Sequence, residues 1–157
     1  MTTYEVLLFL HILGVFFLVG AAGVSNAVGF MLPRVSAART ALALLDLQHR
    51  VEWFVTLPAA VAIAVFGTLL VGEAGYGYGD AWIGGAYALI VFMLALDHGL
   101  LMPANRRMRR RVVALAEGPD VAELRAATTS APANVAGALL DFSLLAVLFL
   151  MVVKPGS

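Results

Sequence analysis

Cysteine is absent from this chain of 157 residues, and charged residues make up only 13% of it. Without cysteine, the chain forms no disulfide or zinc–thiolate site and has no thiol for catalysis. A soluble domain of this length needs more charge to cover its surface. Here 62% of the residues are hydrophobic and the mean hydropathy is +0.94. The composition therefore indicates an integral membrane protein.

The apolar residues fall into four long blocks. A helix needs about 20 mostly apolar residues to cross a hydrocarbon core of about 30 Å, and all four blocks reach that length. Barrel strands would be shorter and would alternate in polarity. The sequence predicts an all-α fold, an antiparallel four-helix transmembrane bundle, in one domain over residues 1–157. We place the helices at about 4–32, 45–72, 84–105 and 134–153, with a cytoplasmic loop over 106–133.

The arginines predict the orientation of these helices. All nine lie in the segments 33–50 and 105–133, and none lies between the second and third blocks. Basic residues are retained on the cytoplasmic side of a membrane. Both termini and the middle loop are therefore predicted to be external. The expected location is the plasma (inner) membrane of a bacterium, crossed several times.

The run NRRMRRR follows directly on the third block. A basic run is compatible with nucleic acid, but its position beside the membrane favours anionic lipids and predicts no nucleic-acid partner. Downstream, Gly118-Pro119 is predicted to end a helix, and Asp120 to cap a short helix on the cytoplasmic surface. The arginines expected to contact anionic lipids are Arg106, Arg107, Arg109, Arg110 and Arg111.

Polar residues recur at a similar depth in all four blocks. At 1.5 Å per residue, several lie about 10 Å inside the predicted cytoplasmic end. A charge in lipid costs on the order of 3 kcal/mol, so these side chains are expected to face the interior of the bundle. We expect Asp97, His98 and Asp141 to face one another. The polar layer comprises Asn26, Arg50, Glu52, Asp97 and Asp141.

Two interpretations of the polar layer stay open. Its members could be interhelical contacts that fix the register of the helices, or they could form a site for a metal, haem, proton or small solute. His49 and His98 are candidate metal ligands and candidate axial ligands of a haem between the second and third helices. The third histidine, His11, lies near the outer face. No residue is assigned a catalytic role, and whether the protein is an enzyme is left open.

The stretch LHILGVFFLVG, followed by FMLPR, has a histidine early in the first helix and small residues after it. It resembles the first helix of two bacterial membrane families, the copper-resistance D type and the four-helix protoporphyrinogen-oxidase type. The length and four-span layout resemble a bacterial family of predicted integral membrane proteins with no assigned function. In the oxidase type the first-helix histidine is implicated in haem binding. The resemblance therefore implies that His11 is a cofactor-binding residue.

Three functions are compatible with these features. The first is a small membrane protein that binds or handles haem b or copper through His11, His49 and His98. The second is a non-catalytic accessory subunit of a larger membrane complex. The third is a small proton-linked transporter that uses the polar layer. Besides the lipid bilayer, the expected partners are a larger membrane complex or further copies of the chain.

Overall fold

The computed structural model of the chain describes residues 2–115 and 120–155, and it contains no β-strand in these two ranges. Four of its helices are long and apolar enough to cross a membrane, judged by their length and composition in the described residues. The helices are α1 (Thr3–Met31), α2 (Ala38–Glu73), α3 (Ala81–Ala114), α4 (Val121–Thr128) and α5 (Ala131–Val153).

Two helices extend beyond the apolar blocks. α2 begins at Ala38 rather than near residue 45, and α3 ends at Ala114 rather than near residue 105. The segment predicted as a loop, 106–133, therefore contains the last turns of α3 and all of α4. Hydropathy locates the part of a helix that enters lipid, whereas these additional turns are amphipathic and pack on protein. The predicted helix end at Gly118-Pro119 lies outside the described residues.

Side-chain caps begin three of the helices. Thr2 and Glu5 form a capping box at the start of α1, in which each side chain bonds to the backbone amide of the other. The Asp120 side chain accepts from the amide of Ala122 at 3.2 Å, which confirms the predicted cap of α4. Ser130 caps α5 in the same way. These contacts satisfy amides that have no partner within the first turn of a helix.

The largest buried apolar cluster of the described residues lies at one end of the molecule, where α4 packs on the end of α3 and on residues 32–34 after α1. Leu124 of α4 is fully buried and Val112 of α3 is 2% exposed. We call this the arginine-rich end, because Arg34, Arg39, Arg106, Arg107, Arg109, Arg110, Arg111 and Arg125 belong to it. The buried residues are Val28, Leu32, Ala41, Leu45, Ala104, Met108, Val112, Leu124, Ala127 and Ala133.

Two polar contacts connect elements across the arginine-rich end. Arg109 Nε donates to Asp46 Oδ1 at 2.9 Å and so links α3 to α2. Arg125 Nε donates to the Pro33 carbonyl at 3.2 Å. Both partners of the Arg109–Asp46 ion pair are about half exposed, and such pairs contribute about 0–1 kcal/mol. The contacts therefore fix the register of the helices more than they stabilise the fold.

At the opposite end, residues 74–80 connect α2 to α3. Gly75 has a φ of +73°, a left-handed conformation that suits glycine. Val71 packs on Trp82 and Ile83 in a small buried cluster, and the rings of Tyr76 and Trp82 meet edge to face at 5.2 Å. We call this the tyrosine-rich end, after Tyr76 and Tyr78.

Between the two ends, the spans pack as two pairs. α1 packs along the Leu57–Glu73 part of α2, and α5 packs along the Ala81–Leu96 part of α3, while contacts between these pairs are sparse among the described residues. Only 11% of the most apolar window of each span is buried. Few side chains of the spans are therefore fully buried by protein, as expected where lipid surrounds a helix.

Gly14 allows α1 to approach α2 closely. A Cβ atom on Gly14 would lie 3.0 Å from Ile63 Cγ1 and 3.3 Å from the carbonyl oxygen of Ala59. Small residues allow such close approach of backbones in a membrane, where burial of apolar surface gives little attraction between helices. The buried positions of α1 are Gly14, Ala21 and Val28.

Gly14→Leu is therefore expected to destabilise the protein, by about 1–3 kcal/mol if the helices stay associated. Gly20→Leu is the matched control, because a Cβ atom there meets nothing within 4 Å. Thermal unfolding in detergent, followed by circular dichroism, measures the difference. Equal midpoints for the two variants would contradict the packing of α1 on α2.

Candidate functional site

Both α2 and α3 contain a five-residue π-helical segment, Glu52–Thr56 and Asp97–Leu101. Each segment begins at an acid, and a proline lies six residues after that acid, Pro58 in α2 and Pro103 in α3. The first amide after each segment bonds to the backbone carbonyl of the acid. Such π-helical turns within α-helices occur frequently at functional sites.

The prolines account for these wider turns. Proline has no N–H, and its ring clashes with the carbonyl four residues earlier in a regular α-helix. That carbonyl belongs to Phe54 in α2 and to Gly99 in α3, and both lie inside the π-helical segments. The sequence carries the signal twice, as EWFVTLP and DHGLLMP. Pro58 alone predicts a kink in α2, whereas the repeated spacing indicates two distortions of the same kind.

The two acids at the start of these segments meet between α2 and α3. The side chains of Glu52 and Asp97 are neighbours there, and both are partly buried. An ionised carboxylate only accepts hydrogen bonds, so a hydrogen bond between two carboxyl groups needs a proton on one of them. We call Glu52 and Asp97 the carboxyl pair.

His98 extends the carboxyl pair toward the surface. Its Nδ1 lies 3.3 Å from Asp97 Oδ2, and the His98 side chain is 45% exposed against 15% for Asp97. Asp97 therefore contacts a carboxyl group on one side and an imidazole on the other. Both neighbours are groups that can exchange protons, and the more exposed of the two is the imidazole.

A second polar contact joins α1 to α5. Asn26 Nδ2 lies 3.1 Å from each carboxylate oxygen of Asp141 and donates to them. The sequence predicted that Asp97, His98 and Asp141 face one another across the third and fourth helices. Asp97 contacts His98, its neighbour on the same helix, whereas Asp141 accepts from Asn26 of α1, so the hydrogen bonds of the described residues do not include the predicted contact. The polar layer thus contains two separate contacts. Arg50, its remaining member, is exposed on α2.

His11 packs against α2 nearer the tyrosine-rich end. Its Nδ1 lies 3.1 Å from the Ile63 carbonyl, and a Cβ atom on Gly67 would lie 3.0 Å from its Cε1. A carbonyl only accepts, so Nδ1 carries the hydrogen and Nε2 keeps its lone pair in the neutral ring. Histidines that bind metals often have this arrangement, in which the second ring nitrogen donates to a backbone carbonyl.

The other two histidines lie far from His11. Gly67, on which His11 packs, is about 27 Å from His49 along α2 at 1.5 Å per residue. The ring of His49 meets Trp53 edge to face at 6.3 Å, and His98 contacts Asp97. The described residues contain no group of three or more His, Cys, Asp or Glu side chains that could hold a metal ion. Ligation of a metal or haem by His49 and His98 stays a prediction.

Hydroxyl groups connect the two pairs of spans near the tyrosine-rich end, and the sequence alone did not assign them this role. Thr68 Oγ1 donates its hydrogen to the Ala64 carbonyl at 2.7 Å, so the Tyr87 hydroxyl donates to Thr68 Oγ1, also at 2.7 Å. The Tyr78 hydroxyl donates to the Thr68 carbonyl at 3.3 Å. The sequence did contain a signal for this contact, because Thr68 and Tyr87 place hydroxyl groups within apolar blocks.

A family model described as "Predicted integral membrane protein (DUF2269)" matches residues 5–155. No curated protein and no solved structure matches the chain. The family match confirms the expected family of predicted integral membrane proteins. The resemblance of the first helix to copper-resistance D-type and protoporphyrinogen-oxidase-type proteins stays a prediction.

Asn26→Leu is expected to destabilise the protein by about 1–3 kcal/mol, because it leaves the Asp141 carboxylate without its donor. Asp141→Leu removes the acceptor, and the double variant Asn26→Leu/Asp141→Leu removes both groups. If the pair interacts, the double variant loses less stability than the sum of the single variants. Denaturant titration in detergent measures this coupling, and strictly additive losses would show that the two side chains do not interact.

Proposed function

This chain belongs to the DUF2269 family of predicted integral membrane proteins, and we propose that it is a small proton-linked transporter whose carboxyl pair carries the proton. The observation that supports this function is the contact between Glu52 and Asp97 on two candidate membrane spans. Ionisable groups within membrane spans are costly, and they commonly mark ion pathways and proton relays.

We further propose an antiparallel bundle with both termini outside the cell, in the plasma membrane of a bacterium. The order of contacts supports the antiparallel arrangement. In α1 and α2, His11 contacts Gly67 and Gly14 contacts Ile63, so the chain positions run in opposite directions. α2 and α3 behave likewise: Val71 contacts Trp82 near one end, and the carboxyl pair meets further along both helices. The arginines favour the cytoplasm for the arginine-rich end.

Single cysteines test this orientation cleanly, because the chain has none of its own. Gly79→Cys lies between α2 and α3, where a Cβ atom meets nothing within 4 Å, and Arg110→Cys is exposed on α3. A membrane-impermeant maleimide is expected to label Gly79→Cys in intact cells, and Arg110→Cys only after permeabilisation. The opposite pattern would refute the orientation.

The two π-helical segments offer a mechanism for coupling the proton to a movement. On one side of these segments lies the arginine-rich end, with its larger buried core. On the other side lie the two pairs of spans, between which contacts are sparse. Loss of the shared proton places two like charges in contact, and such charges repel more strongly where burial lowers the local dielectric. The repulsion separates α2 from α3 at their π-helical segments. Reprotonation brings the helices together again.

The second connection between the pairs lies at the tyrosine-rich end. There the hydroxyl groups of Thr68 and Tyr87 bridge α2 and α3 at 2.7 Å. A solute path between the pairs would thus be bounded by the carboxyl pair on one side and by these hydroxyl groups on the other. If the contact of the carboxyl pair and the contact between the hydroxyl groups opened alternately, a small solute would gain access to each side of the membrane in turn.

Infrared spectroscopy tests the shared proton directly. The wild type in lipid at neutral pH is expected to show the C=O stretch of a protonated carboxyl group, and Glu52→Gln/Asp97→Asn is expected to lose that band. Asp141→Asn is the matched control, because Asp141 accepts from Asn26 and needs no proton for that contact. A wild-type spectrum without the band, or a band lost in Asp141→Asn instead, would contradict the proposal.

Binding of haem b or copper through His11 is a second candidate function. It is favoured by the bond from His11 Nδ1 to the Ile63 carbonyl, which leaves Nε2 free to bind a metal. Such a metal centre would supply electron transfer. The accessory-subunit function stays a prediction, because no contact among the described residues favours it.

Protein purified from cells supplied with haem and copper distinguishes this second function. If His11 is a ligand, the wild type carries a visible absorption band or bound copper, and His11→Phe removes it. His49→Phe is the control, because His49 lies about 27 Å from the position of His11 along α2. Colourless, metal-free wild-type protein would exclude this function.

A further inference from the structure

One exposed face of α2 carries a cation, an imidazole and two large aromatic rings. His49, Arg50, Trp53 and Phe54 line a shallow cleft on this face. The spacing of three and four residues places them side by side on the helix surface. Trp53 is 50% exposed and Phe54 is 80% exposed. We call this surface the α2 cleft.

Arg50 differs from several other arginines of the chain in its contacts. Arg109 bonds to Asp46, Arg125 bonds to the Pro33 carbonyl, and Arg34 lies over the ring of Phe30. Arg50 donates no hydrogen bond to any residue within 2–115 or 120–155. Its guanidinium group therefore presents five N–H donors in a planar fork beside two apolar rings.

The position of the α2 cleft along the helix relates these groups to the membrane. α2 has 36 residues, about 54 Å at 1.5 Å per residue, which is longer than the hydrocarbon core of about 30 Å. The strongly apolar part, Leu57–Glu73, begins two helical turns after Arg50. Arg50 therefore lies at the level of the headgroups, and Trp53 and Phe54 lie where aromatic residues gather at the edge of the acyl chains.

We propose that the α2 cleft binds an anionic phospholipid. The Arg50 guanidinium pairs with the phosphate through two parallel N–H···O bonds, His49 lies beside the same headgroup, and the acyl chains pack on Trp53 and Phe54. Charge favours an anionic lipid over a zwitterionic one, because the quaternary ammonium of phosphatidylcholine would place a second cationic group beside Arg50. This site is separate from the arginine run 106–111 and does not depend on proton transport.

The two tryptophans of the chain make the site directly measurable. Trp82→Phe leaves Trp53, in the α2 cleft, as the only tryptophan. The protein is placed in phosphatidylcholine vesicles that contain a minor fraction of either brominated phosphatidylglycerol or brominated phosphatidylcholine, since bromine quenches tryptophan fluorescence on contact. If Trp82→Phe lowers stability, the signal of Trp53 is obtained by difference. The fluorescence of Trp53→Phe, which keeps only Trp82, is subtracted from that of the wild type.

We expect brominated phosphatidylglycerol to occupy the site about fivefold more than brominated phosphatidylcholine, the ratio that ~1 kcal/mol per basic residue gives. Arg50→Gln removes this preference. Arg107→Gln, which removes an equal charge from the arginine run, keeps it. Equal quenching by the two lipids overturns the proposal. Equal losses in Arg50→Gln and Arg107→Gln also overturn it, because they would show general attraction of anionic lipid rather than a discrete site.

Discussion

The contact between the carboxyl groups of Glu52 and Asp97 constrains α2 and α3 at one level of the bundle. Each group alone would place a partly buried charge on a membrane-spanning helix, which is costly unless the charge is paired. The proton that we propose the two groups share would lower that cost for both, but only while the two helices stay close enough for their side chains to meet. In the proposed mechanism, the rotation of α2, the rotation of α3 and their separation are therefore linked to a single proton. His98 contacts Asp97 and is the more exposed of the two side chains, so it lies between the carboxyl pair and the surroundings of the protein.

Three kinds of interaction hold the rest of the molecule, each in a different region. Buried apolar side chains hold the arginine-rich end. Close packing at Gly14 holds α1 on α2. Lipid is as apolar as the side chains, so burying apolar surface gives little attraction between the helices. Hydroxyl groups and a small aromatic cluster hold the tyrosine-rich end. The prolines and π-helical segments lie between these regions, where the two pairs of spans are held least.

Much of this architecture could be predicted from the sequence, because length and hydropathy are sufficient to find membrane spans. The end of α3 at Ala114 could not be found that way, since its stabilising partners, such as Leu124, come from distant parts of the chain. The depth of the polar residues was likewise readable at 1.5 Å per residue. Their partners were not, because depth does not give the rotation of a helix: Asp141 turns toward Asn26, and Asp97 toward Glu52. The paired acid and proline spacing of α2 and α3 was present in the sequence, and it marks the only site where two spans share the same distortion within the described residues.

The buried core of the arginine-rich end also affects how the chain is made. Its members extend from Val28 to Ala133, so the core cannot close until the ribosome has synthesised α4 and the start of α5. Membrane helices insert as individual segments before they associate. During synthesis, the amphipathic turns of α2 before Glu52 emerge with the apolar side chains of Ala41 and Leu45 uncovered. The nascent chain thus presents a transient apolar surface on one side of the membrane, and the lipid interface or a chaperone must cover that surface until α4 arrives.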